Sequence, residues 1–332
     1  MGQANSTSKG PTIRSSRPKT LVVFGDSMSD GGLHGYGVGN AETWRTGNYP
    51  PMAIATPQGE MRKRFGSTYP FPELGYYDHT FSDGLTWPHH LGIPTVHNFA
   101  HGSATTCQAA MPGEKTPEGF RALSSNTGMS RMSETTVLPR GAIQQVEMAE
   151  AFLPKELWHD PSVLVVVAIG TNDFFYHGKD AIGHTKEEAK DSTTVRNYRK
   201  LVERIRRLGV ADTNLVVACL TAGDTMPGFR SGLCQCGDMA WFRGQIEAVN
   251  DAIAAIGPAY WKGFEDTARW LGLQEKASDF KIYDRLPNMS SAEDLVPMGC
   301  SSDEVGWFDE YHPNVQTHKM IAKSLASQFF CA

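Results

Sequence analysis

No run of apolar residues in this chain approaches the roughly 18 needed to cross a bilayer. The longest, Val163 to Ile169, has the length of a buried strand. The first twenty residues, MGQANSTSKGPTIRSSRPKT, hold no apolar segment of the kind a secretory signal requires, and the compartment stays open. Cysteine is scarce: six in 332 residues, at 107, 219, 234, 236, 300 and 331. That is too few for a disulfide-scaffolded fold of this size, and the sequence does not choose among their pairings. Nor is there an excess of positive charge. With a formal net charge of -5, and no aromatic residues interleaved among Arg62-Lys63-Arg64 or Arg204, Arg206 and Arg207, the chain lacks a nucleic-acid footprint.

Metal-binding patterns are also missing. Cys234 and Cys236 have no second cysteine pair at ligand spacing, which argues against a zinc site. His89, His90, His97 and His101 follow neither one helix face nor one strand face, so packing or solvent accounts for them. No metal or other cofactor is implied. The N-terminus reads Met1-Gly2-Gln3-Ala4-Asn5-Ser6, a fit to the myristoylation pattern that makes Gly2 a candidate lipidation site. Lys9, Arg14, Arg17 and Lys19 follow as contacts for anionic lipid, a peripheral membrane attachment. A disordered Ser/Thr-rich leader over residues 1–19 explains the same composition.

What is present is enough apolar material for a core: 40% hydrophobic against 20% charged residues. Thr20 to Gly25 is a short β-branched run ending in glycine, and Thr95 to Phe99 is a second strand candidate. Gly141 to Leu153 has helical spacing through Ile143, Val146, Ala149 and Leu153. Val163 to Ile169 is unbroken apolar sequence, as expected of a parallel strand covered on both faces. A helix over 187–208, a strand over Asn214 to Leu220 and a helix over Met239 to Ile256 follow. A fifth strand is expected at Phe280 to Tyr283, and a closing helix from Val315 to Phe329. This alternation predicts one α/β domain over 20–332, built on an open parallel sheet with helices on both faces. Residues 31–80 have little period of either kind and read as a long insertion over a site.

In open α/β sheets the reactive groups gather beyond the carboxyl ends of the strands. Four places there are dense in polar residues: Gly25-Asp26-Ser27 after the first strand, His101-Gly102-Ser103 after the second, Gly170-Thr171-Asn172-Asp173 after the third, and Asp309 to Asn314 before the last helix. Taken singly, each is explained as a turn, a helix cap or a surface loop. Jointly they offer a nucleophile, oxyanion donors and an acid/base pair in an order that one sheet can converge. Gly-x-Ser-x-Gly is absent, which argues against the α/β-hydrolase fold.

FGDSMSD, NFAHGSATT, VAIGTND and DEYHPN, in this order, resemble the four signature blocks of the GDSL, or SGNH, lipase/esterase family over about residues 20–330. The resemblance implies a three-layer α/β/α sandwich with a flavodoxin-like parallel sheet of about five strands. Residue by residue it implies Ser27 as nucleophile and Asp309 and His312 as the remaining triad pair. It also implies an oxyanion hole formed by Ser27, Gly102 and Asn172. His312 would take the Ser27 proton, and Asp309 would fix the imidazole tautomer. Asp26 and Asp173 are read as supports that brace the loops.

Three positions depart from the family pattern: Met28 where Leu is commoner, Ser103 in place of a second glycine, and Leu33 where one branch has Asn. The layout resembles the branch with lecithinase/haemolysin-type phospholipases and carbohydrate acetylesterases. The expected partner is therefore a small-molecule ester, of a lipid or an acylated sugar. Aromatic residues at 65, 69, 71, 76, 77, 81 and 87 could line an acyl groove or stack on sugar rings; packing of the insertion on the core explains them as well. No protein partner is implied. Two other readings use the same residues: an acyltransferase with the same triad, and a non-catalytic binding module on the fold.

Overall fold

In the computed structural model, the described residues are 17–31, 80, 82, 84–102, 104–106, 141–226, 238–273, 307 and 311–330. Its first strand, β1 (Thr20–Gly25), is followed by a 3-10 turn at Trp87–Leu91 and by β2 (Thr95–Asn98). Then come α1 (Ala142–Phe152), β3 (Val163–Ala168), α2 (Thr171–His177) and α3 (Thr193–Leu208). The chain continues through β4 (Leu215–Ala218), α4 (Met239–Ala254), β5 (Ala259–Trp261), α5 (Gly263–Leu273) and α6 (Val315–Phe329).

All strand pairings are parallel, and the order across the sheet is β2-β1-β3-β4-β5. This is the flavodoxin-like order, with its switch point between β1 and β3. Every residue of β3 is buried, because helices cover both faces of the sheet. α1 packs on α3 and α3 on α4, while α5 packs on α6 and α6 on the 3-10 turn. Under that turn lies an aromatic cluster in which Trp87 meets Trp261 at 5.1 Å and Phe264 at 6.2 Å. Burying each such side chain stabilises the fold by roughly 1.5–3 kcal/mol, which makes this cluster the anchor of the 3-10 turn on the sheet.

Several boundaries differ from those expected. The helix expected over 187–208 starts at Thr193, because the Ser192 hydroxyl accepts from the Val195 N–H and caps it there. A separate one-turn helix, Lys186–Ala189, has its own capping box at Thr185 and Glu188. The fifth strand of the sheet is Ala259–Trp261, three residues too short to carry a period. The strand expected at Phe280 to Tyr283 lies outside the described residues. Along α1 the buried positions are Ala142, Gln145, Val146, Met148 and Ala149, while Ile143 is only half-buried. None of the described helices is long and apolar enough to cross a membrane.

Candidate active site

Ser27 lies on the turn that ends β1, two residues after Gly25. The turn is tight: the N–H groups of Ser29 and Asp30 both donate to the Asp26 carbonyl at 3.0 Å. The Met28 N–H donates to the Asp26 carboxylate at 3.1 Å. Such a turn requires glycine at 25, where a Cβ would stand 2.8 Å from Ser29 Cβ and 2.9 Å from the Ala168 carbonyl oxygen. From the other side, Trp87 Nε1 donates to Ser29 Oγ at 2.9 Å and Asn98 Nδ2 to the Ser29 carbonyl at 2.7 Å. The Thr86 hydroxyl lies 3.2 Å from the carbonyls of both Ser29 and Asp30. Among the described residues, the Ser27 N–H has no acceptor.

His312 comes from the opposite end of the chain. It precedes α6, whose first turn is capped by Asn314 accepting from the Thr317 N–H at 3.0 Å. Pro313 bridges Trp307, and its carbonyl accepts from the Ser82 hydroxyl at 2.9 Å. So held, His312 is 8% exposed and its Nε2 stands 2.8 Å from Ser27 Oγ. If Ser27 donates in this bond, the ring proton is on Nδ1 and Nε2 is the base. Asp309 lies outside the described residues, as do Gly2, Ser103 and the aromatic residues of the insertion from 65 to 77.

Asn172 is in the first turn of α2, directly past β3. Gly170, at φ 114°, reverses the chain there in a conformation that favours glycine. Asn172 is half-buried, and one hydrogen of its Nδ2 reaches the Ala104 carbonyl at 2.9 Å, leaving the second for another acceptor. The N–H of Gly102, the residue expected to contribute to the oxyanion hole, donates to Asp30 Oδ2 at 2.7 Å. Asp30 is itself buried, so that bond ties the loop after β2 to the turn after β1.

Asp26 and Asp173, the aspartates expected to brace the loops, are both buried. Asp173 accepts from the Thr106 N–H at 2.8 Å, the Thr194 hydroxyl at 2.8 Å and the Thr106 hydroxyl. It thus joins the loop after β2, the start of α2 and the start of α3. Burial pushes the Asp26 carboxyl up to about 7, against the opposing pull of the Met28 N–H and His312. His318, on α6, is also fully buried, and burial pushes its pKa down to about 3. It is a neutral imidazole near physiological pH.

One recurring arrangement escaped sequence reasoning. At three strand ends, a helix side chain engages both the N–H and the carbonyl of one residue. Gln145 of α1 accepts from the Gly25 N–H at 2.9 Å and donates to its carbonyl at 2.8 Å. Asn250 of α4 does the same at Leu220, at 2.7 and 3.2 Å. The Tyr198 hydroxyl of α3 accepts from the Ile169 N–H at 3.3 Å and donates to the Ile169 carbonyl. The available signal was a polar residue at a core position of an amphipathic helix.

Elsewhere several basic residues of α3 are paired with carboxylates. Arg204 bonds Glu147 and Glu150 at 2.9 and 3.0 Å, Arg206 bonds Asp212 at 2.7 Å, and Arg207 bonds Glu203.

Among solved structures, the carbohydrate acetylesterase Est24 of Sinorhizobium meliloti aligns with a TM-score of 0.40 and 14% identity, over 93% of this chain and 97% of its own. A phospholipase A1 of Streptomyces albidoflavus aligns at 0.39 and 14%, over 94% and 99%. Protein YxiM of Bacillus subtilis aligns at 0.39 and 12% over 94% of this chain, which spans 56% of that protein's length. Comparison with curated proteins finds no match. The model of the GDSL-like lipase/acylhydrolase family matches residues 21–325, and the chain belongs to that family of ester-bond hydrolases.

Proposed function

We propose that the protein cleaves carboxylic esters through an acyl intermediate on Ser27. The observation that carries this reading is the 2.8 Å approach of His312 Nε2 to Ser27 Oγ, across 285 residues of sequence. In the first half-reaction, Ser27 Oγ attacks the ester carbonyl while its proton passes to His312 Nε2. The carbonyl oxygen becomes an oxyanion. His312 then returns the proton to the departing alkoxide as the carbon–oxygen bond breaks, releasing the alcohol. In the second half, water attacks the acyl-serine, His312 takes the water proton, and Ser27 recovers a proton as the acid leaves. Asp309, three residues before His312, is assigned to hold the Nδ1 proton and stabilise the imidazolium.

The oxyanion is assigned first to the Ser27 N–H and the second amide hydrogen of Asn172. Both donors stand without another acceptor among the described residues, which supports the assignment. Gly102 is the third; its N–H joins the hole only by exchanging Asp30 for the oxyanion. One such donor contributes roughly 3–4 kcal/mol in the transition state. Asp26 and Asp173 take no proton in this scheme and serve to hold the loops. The substrates assigned are esters of short-chain acids, lipids or acetylated carbohydrates.

The test is a fluorophosphonate probe and a short-chain chromogenic ester, applied to the wild type, Ser27→Ala and His312→Ala. Labelling and turnover that fall about 10⁴-fold or more in both variants support the reading. Turnover retained by Ser27→Ala would end it.

A further inference from the structure

We infer that Gln145 is a positioning residue for the nucleophile: it takes up the Gly25 N–H at the end of β1, where the β2 side offers that group no carbonyl. This rests on the reading of Ser27 given above. In a parallel sheet, a residue directs its N–H and carbonyl to the same neighbour. For Gly25 that neighbour is the β2 side, since the His101 N–H donates to the Gly25 carbonyl at 3.1 Å. The β1–β2 register, however, ends at Val23 and Asn98. Beyond it the chain still reaches the Gly25 carbonyl through the His101 N–H, but the Gly25 N–H is met by no strand carbonyl. Gln145, entirely buried, enters that gap from α1 and takes both groups, at 2.9 and 2.8 Å. Its amide oxygen stands in for the absent strand carbonyl, and its amide N–H shares the Gly25 carbonyl with the His101 N–H.

Packing alone does not explain this residue. Its neighbours on the buried face of α1 are Ala142, Val146, Met148 and Ala149, so an apolar side chain of similar length would complete the face. What the amide adds is directional. Gly25 is two residues from Ser27, and the turn between them has its hydrogen bonds to the Asp26 carbonyl and carboxylate. The far side of the turn is held by Thr86, Trp87 and Asn98. Gln145 is the corresponding hold on the near side. The α1 helix that carries it is itself tied to the loop after β2, by the Ala142 N–H donating to the Thr105 carbonyl at 2.9 Å. Thus α1 braces both the nucleophile turn and the loop after β2, beside the direct ties of the His101 N–H to the Gly25 carbonyl and of the Gly102 N–H to Asp30. A misplacement of about 1 Å in such a site costs on the order of a hundredfold in rate.

Two variants test this. Gln145→Met keeps the volume and removes both hydrogen bonds. Gln145→Glu is ionised at high pH and cannot donate to the Gly25 carbonyl; once protonated it can make both bonds again. Steady-state kinetics on the chromogenic ester are measured across pH for the wild type, both variants and Ser27→Ala, below melting temperatures set by circular dichroism. For folded Gln145→Met we expect kcat to fall 10- to 100-fold, with KM within twofold. For Gln145→Glu we expect the ratio of its kcat to the wild-type value to climb at least fivefold as the pH is lowered through the carboxyl's titration. A folded Gln145→Met with kcat within threefold of wild type, or a Gln145→Glu ratio flat with pH, would overturn the inference. So would failure of both variants to fold, which would make the role one of stability alone. Ser27→Ala separates the two readings: if it retains turnover the nucleophile assignment fails, whereas if only the Gln145 variants retain it, the inference about Gln145 fails by itself.

Discussion

Asn172 and Asp173 are neighbours on the first turn of α2, yet replacing each by alanine should have opposite consequences. The Asn172 side chain is half-buried and, among the described residues, donates to the Ala104 carbonyl at 2.9 Å. Its loss costs about 0.5–1.5 kcal/mol of stability. Its proposed work is on the oxyanion, so Asn172→Ala should lower kcat by about a hundred- to a thousandfold. Asp173 is the reverse case. Its carboxylate accepts from the Thr106 N–H and from the hydroxyls of Thr106 and Thr194, all buried. Bonds to a charged acceptor contribute about 1.5–3 kcal/mol each, and a stranded buried N–H costs about 1–3 kcal/mol. The Thr194 hydroxyl retains the Ala181 carbonyl at 3.2 Å as an alternative acceptor, which reduces the loss. Asp173→Ala should therefore lose about 3–5 kcal/mol of stability by the same accounting. The assays are urea unfolding at constant m-value for stability, and kcat per folded molecule for activity. An Asn172→Ala enzyme within tenfold of wild-type kcat, or an Asp173→Ala protein within 1 kcal/mol of wild-type stability, would refute the reasoning.

Other outcomes follow from the same geometry. Because the Asp26 carboxyl is raised to about 7 in the folded protein, the fold binds a proton that the unfolded chain releases. Its destabilising effect is absent below the unfolded pKa near 3.8 and grows until the pH passes about 7. Asp26→Asn keeps an acceptor for the Met28 N–H and should remove a stability slope of up to about 1.4 kcal/mol per pH unit in that window; urea midpoints from pH 4 to 8 measure it, and a slope unchanged in the variant contradicts the assignment. Gly25→Ala forces a methyl against Ser29 Cβ and the Ala168 carbonyl. It should cost about 1–3 kcal/mol and slow fluorophosphonate labelling of Ser27 at least tenfold, whereas unchanged labelling would mean that the turn relaxes freely. Tyr198→Phe leaves the Ile169 N–H without the hydroxyl it donates to, and calorimetry should register about 1–3 kcal/mol of lost stability.

The alternation of strand and helix was legible in the sequence because each element carries its own evidence. Val163 to Ala168 is apolar without interruption since both faces of β3 are covered, and α6 repeats Ile321, Leu325 and Phe329 on one buried face. The polar blocks after β1, β2 and β3 were legible for a related reason: a polar cluster at the end of a buried run has no packing role there. β5 was not. Three residues are too few to show a period, and Ala259–Trp261 is a strand only because β4 offers it a paired edge. Gln145 was hidden differently, since the Gly25 N–H that it meets lies 120 residues earlier in the chain and lacks a strand carbonyl only in the folded sheet. The Gly102 N–H belongs to the same class: the motif names the residue, but the Asp30 carboxylate that it meets comes from another loop. Sequence by itself determined most of the elements, their alternation and the residue types gathered at the strand ends, because propensity and period are local. Which atoms face one another, Ser27 Oγ against His312 Nε2 foremost, was decided only when the sheet closed and its register set the distances.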